Sequence, residues 1–160
     1  MHLAAFQHAM ACCEWFGPWA SVVEIGALCV NGGVRGLLRG ARYTGIDLRA
    51  GPGVDLVADG AVWQPPEPVA CVICLEVLEH SEHPRAVVEN ALRMLRPGGV
   101  LILSAAGPNR APHGWFGQGI TEGESYQAIY PDDLHLWLAG VDHEVTESAD
   151  GADVYAVAHA

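Results

Sequence analysis

Lysine is absent from these 160 residues: all eight cations are arginine, set against 19 acids for a net charge of −11. Without a basic stripe, little is available to displace counterions from a phosphate backbone, which argues against nucleic acid as a partner. Charge of either sign is scarce, at 17% of residues against 51% hydrophobic, a balance that fits a compact fold and argues against disorder. No apolar run approaches the ~20 residues needed to span a bilayer, and Met1 to Met10 lacks the basic start of a secretory signal. No repeat, low-complexity tract or linker divides the chain, so one domain over 1–160 is expected, as a monomer or homodimer. Cysteine is sparse and odd in number, five residues at 12, 13, 29, 71 and 74, which favours reduced thiols and a cytoplasmic location.

What is present alternates strand with helix. Residues 3–16 favour a helix within an N-terminal segment 1–20, stopped by Gly17-Pro18. Ser21–Ile25, Arg42–Asp47, Asp55–Ala58, Val69–Leu75 and Val100–Ser104 read as strands, the third as a short edge piece. Helices are expected over Gly32–Leu38, Pro84–Leu95 and Pro131–Ala139, and a closing antiparallel hairpin over Glu144–Glu147 and Val154–Ala158. The order implies an α/β fold: a doubly wound, mostly parallel, seven-stranded Rossmann-like sheet with helices on both faces. Cys71 and Cys74 share a strand at an offset of three, so they face opposite sides and cannot grip one metal.

Cys74-Leu75-Glu76-Val77-Leu78-Glu79-His80 is a buried strand opening onto an acidic loop, and Leu95-Arg96-Pro97-Gly98-Gly99-Val100-Leu101-Ile102-Leu103 is a helix stop followed by a second buried strand. "LEVLEH" with "LRPGGVLIL" resembles the class I S-adenosylmethionine (SAM) dependent methyltransferases, particularly the small-molecule branch. The resemblance implies SAM as cofactor and a methyl transfer to oxygen or nitrogen. The chain lacks the Asn/Asp-Pro-Pro-aromatic tetrapeptide of DNA amino methyltransferases and any Pro-Cys pair for attack on cytosine, so a small-molecule acceptor is expected. The alternative is a non-catalytic SAM-binding or interaction module on the same fold. A nicotinamide enzyme is disfavoured because no G-x-G-x-x-G follows the first strand.

Ligands of such sheets sit outside the carboxyl ends of the strands, where strand order reverses. There Glu24-Ile25-Gly26-Ala27 matches the start of the family's E/D-x-G-x-G-x-G, although Leu28 and Val30 replace the later glycines. Asp47, followed by Leu48, ends the second strand 21 residues beyond Gly26, the separation of a ribose-binding carboxylate; a solvated strand end or helix cap is the plain alternative. By resemblance, Asp59 and the Gly60 amide read adenine, unless Asp59 is only a turn residue, and the backbone at Leu75 and Glu76 meets the methionine end. His80 and His113 are candidate general bases for the acceptor, imidazole being suited to neutral pH. His80 and His83 with Glu79 suggest a metal, but no further ligand stands nearby in sequence, so none is expected. The irregular run 105–130, with Trp115, Phe116, Tyr126 and Tyr130, is expected to form the acceptor pocket or its lid.

Overall fold

The computed structural model describes residues 3–160; Met1 and His2, at the head of the expected N-terminal segment, lie outside it. Helix α1 spans Leu3–Phe16, followed by strands β1 (Ser21–Ile25), β2 (Arg42–Asp47), β3 (Leu56–Val57) and β4 (Val69–Leu75). Helix α2 (Pro84–Met94), strand β5 (Leu95–Ala106), helix α3 (Pro131–Trp137) and strands β6 (Asp142–Glu147) and β7 (Asp153–His159) complete the chain. All seven strands join one sheet in the order β3-β2-β1-β4-β5-β7-β6. Pairing is parallel from β3 to β5 and antiparallel where β7 meets β5 and β6.

β4 is buried at all seven positions because both faces are covered, which is why its sequence is an unbroken apolar run. Val72 and Cys74 face a core shared with Val87, Val88 and Met94 of α2 and with Leu134 of α3. Cys71 and Ile73 face the other side, against Ala9 and Cys12 of α1, with Val34 and Leu38. The two cysteines of the CxxC spacing thus lie in different cores, as the strand period requires. β1 is flanked by β2 on one side and β4 on the other, so the direction of winding reverses between β1 and β4. That reversal places a crevice at the carboxyl tips of these strands.

Some elements depart from expectation. The helix over Gly32–Leu38 is a single 3-10 turn, Arg35–Leu37. Three glycines within it and no side-chain cap leave too little to nucleate a longer helix. Asp55 lies outside β3; its carboxylate instead accepts the Gly45 amide at 2.9 Å and meets Arg35 at 3.0 Å. α2 stops at Met94, because Leu95 turns extended and already pairs with Val69. A register shift between Val69 and Cys71 then absorbs Arg96 to Gly99 before pairing resumes at Val100. β5 also runs on to Ala106, so the irregular segment starts at 107.

Candidate functional site

At the reversal, Gly26 follows β1 with φ +79, in the left-handed region that side chains avoid. A Cβ there would collide with Val77 Cγ2 from the loop after β4, so the two strand tips approach only because this residue is glycine. Next to it, Glu24 is buried and takes a hydrogen bond from the Tyr43 hydroxyl of β2. Burial pushes the Glu24 carboxyl up to about 7, the Tyr43 bond and Arg35 only partly opposing.

Asp47 closes β2 with both carboxylate oxygens engaged. One accepts the Leu28 amide at 3.2 Å and the other the Arg49 amide at 3.0 Å. These bonds tie the loop after β1 to the tip of β2 and fix the direction of the carboxylate, leaving lone pairs for a ligand. After β3, Asp59 accepts the Ala61 amide at 2.8 Å. Buried Asn90 of α2 holds that turn from behind, donating to Gly60 O at 2.9 Å and Trp63 O at 2.7 Å.

Glu76 follows β4 with φ +57, the one described non-glycine residue in the left-handed region. Strain of this kind concentrates at functional sites. Its carboxylate accepts the Ser104 hydroxyl at 3.1 Å and faces Arg110 at 3.5 Å, while Arg110 also pairs with Asp153 of β7. Glu79, the second acid of this loop, is fully buried. His80 leaves the same turn half-buried, and burial together with His113 lowers its pKa, which favours the neutral ring.

The segment 107–130 folds over this edge. Gln127 donates its amide to Glu79 O at 2.8 Å, and Ile129 donates to Ala106 O at 2.9 Å. Arg49 stacks over Trp115, its guanidinium carbon 3.6 Å from the ring centroid. His113 packs edge-on against His80 with ring centroids 5.1 Å apart, and Tyr126 touches both rings.

The result is one open cavity of about 550 Å³. Glu24, Gly26, Ala27, Asp47 and Leu48 line it, together with Asp59 and Gly60. Leu75, Glu76, His80 and His113 line it as well, so the eleven residues expected to hold the cofactor or act on the acceptor meet in the same space, whereas Tyr126 and Tyr130 of the covering segment do not line it. Arg49 and Arg110 also line it and escaped the sequence reading. Arg110 carries a signal in hindsight, as the one cation among nine acids in residues 101–160.

The comparisons with known proteins agree with this geometry. The family described as "Methyltransferase domain" matches residues 11–148. The ubiquinone biosynthesis O-methyltransferase of Pseudomonas entomophila is 34% identical over 87 residues, covering 44% of this chain and 38% of that protein. The chain therefore spans well under half the length of that relative. Among solved structures, CalS10, an amino pentose methyltransferase from Micromonospora echinaspora with SAM bound, superposes with a TM-score of 0.70 at 18% identity, over 99% of this chain and 91% of that one. The N-methyltransferase NodS of Bradyrhizobium japonicum in complex with S-adenosylhomocysteine gives 0.66 at 16%, over 98% and 85%. With the family match running from within α1 to the end of β6, on a sheet whose winding reverses at a glycine-lined crevice, the chain belongs to the class I SAM-dependent methyltransferase family.

Proposed function

We propose that this chain transfers a methyl group from SAM to an oxygen or nitrogen of a small molecule. The carrying observation is the convergence of three strand-tip carboxylates, Glu24, Asp47 and Asp59, with the strained Glu76 turn on one cavity. Its volume lies within the roughly 300–1,000 Å³ usual for small-molecule sites. Asp47 would hold the ribose hydroxyls, each charge-assisted bond contributing about 1.5–3 kcal/mol. Asp59 and the Gly60 amide would read the adenine edge, while the backbone at Leu75 and Glu76 would hold the amino acid end. Gly26, with no side chain, leaves room for close approach, and Ala27 and Leu48 flank the nucleoside.

When bound, SAM supplies a methyl group on a sulfonium, the leaving group of an in-line displacement. What the chain supplies is alignment, worth up to roughly 7–11 kcal/mol for well-oriented partners. The His80 and His113 side meets the acceptor, and Trp115 with Phe116 covers the cavity against water. Each imidazole can accept a proton from the attacking group. No helix of the described residues is long and apolar enough to cross a membrane. Five free thiols, three of them buried in the cores, support a reducing, cytoplasmic setting. Incubation with methyl-labelled SAM and panels of hydroxylated and amino compounds tests the reading. Labelled product is expected; no label in any acceptor, alongside no binding of SAM, would contradict it.

A further inference from the structure

Glu79 is fully buried, and neither of its carboxylate oxygens accepts a hydrogen bond. Interiors hold such a group when it is neutralised, paired or bound to a metal. Arg110 is already committed to Glu76 and Asp153.

The fold brings two imidazoles to this carboxylate. One ligand atom each from Glu79, His80 and His113 lies within 4.8 Å of the others. Sequence spacing pointed to His83 as the second imidazole, but the covering segment delivers His113 instead. The hydrogen bonds of both rings suit a metal. His80 Nδ1 faces Ser125 O at a long 3.4 Å, and His113 Nδ1 faces Ala111 O at 3.1 Å. A carbonyl only accepts, so each Nδ1 carries the proton and each Nε2 keeps a free lone pair, the arrangement common behind metal-bound histidines.

We propose that Glu79, His80 and His113 form a binding site for a divalent transition metal ion, with its remaining positions open to the cavity. Two imidazoles and one carboxylate with open positions suit iron, cobalt, zinc or manganese in the divalent state. The cation would neutralise the buried acid and recognise acceptors that carry an oxygen ligand. This deepens the methyl-transfer reading, narrowing the acceptor to hydroxylated molecules: with the ion bound, the cation takes over from the two imidazoles in making the acceptor hydroxyl acidic, and only that role rests on the reading.

Protein stripped with a chelator and titrated with Co²⁺ alone tests the site by calorimetry and visible absorption. One equivalent with a micromolar Kd and a d–d absorption band is expected. His113→Ala, on the half-buried segment, and Glu79→Gln should each weaken binding at least ten-fold with far-UV circular dichroism unchanged. His135 and His143 form an exposed pair 3.1 Å apart that also invites metal, so His135→Ala should leave the affinity as it was. No binding below about 100 μM, retained affinity in either site variant, or loss in His135→Ala overturns the proposal. Titration of the same protein with SAM separates the two ideas. SAM binding without cobalt binding removes the metal site alone, and cobalt binding without SAM binding removes the methyl-transfer reading alone.

Discussion

The guanidinium carbon of Arg49 lies 3.6 Å from the centroid of the Trp115 ring, joining the loop after β2 to the segment that covers the cavity. Asp47 lies two residues before Arg49 and accepts its amide, so the covering segment is tied directly to the expected ribose site. A cation–π contact between partly exposed groups contributes about 0.5–1 kcal/mol, more when a bound ligand dries it. Arg49→Ala and Trp115→Ala are each expected to weaken SAM affinity about three- to ten-fold, through faster dissociation in stopped-flow measurements. The double variant should be little worse than either single one, since both remove the same contact. Fully additive losses would show that the contact does not hold the cover.

Gly26 faces Val77 across the crevice with φ +79 and no room for a Cβ. Gly26→Ala should cost about 1–3 kcal/mol of stability, from the backbone conformation and the collision together. Val77→Ala added to it should recover part of that loss by removing the colliding methyl. Denaturant midpoints of the two variants read both effects; a neutral Gly26→Ala would mean the loop has other conformations open to it.

Glu24 makes stability depend on pH in a known direction. Burial raises its carboxyl from the ordinary 4.5 to about 7, so the folded chain holds this proton more tightly than the unfolded one. The stability that follows is full below pH 4.5 and is lost as pH rises through about 7. Glu24→Gln stays neutral throughout and should gain on the parent by up to about 3 kcal/mol across that window. Urea unfolding at several pH values checks it, and parallel profiles for the two proteins would refute the assignment.

The apolar continuity of Val69–Leu75 announces a strand covered on both faces, and the alternation around it yields the sheet. Asp47, Asp59 and Gly26 are legible because strand tips place such residues at the ligand crevice wherever winding reverses. The short turn at Arg35–Leu37 is not, since its apolar spacing reads as helix while Gly32, Gly33 and Gly36 prevent one. Glu79 hides because its neighbours Glu76 and His80 make the stretch look like a solvated loop, whereas burial is decided by the segment 107–130 folding over it. Arg110 and His113 are long-range partners, and no local pattern states which strand tip they will meet.

Isothermal titration of SAM into the parent chain and into Asp47→Ala bears most directly on the whole account. A micromolar Kd for the parent and at least a ten-fold loss for Asp47→Ala, about 1.4 kcal/mol or more, is the predicted result. Heat indistinguishable from dilution in the parent, or equal affinity in both proteins, would contradict it.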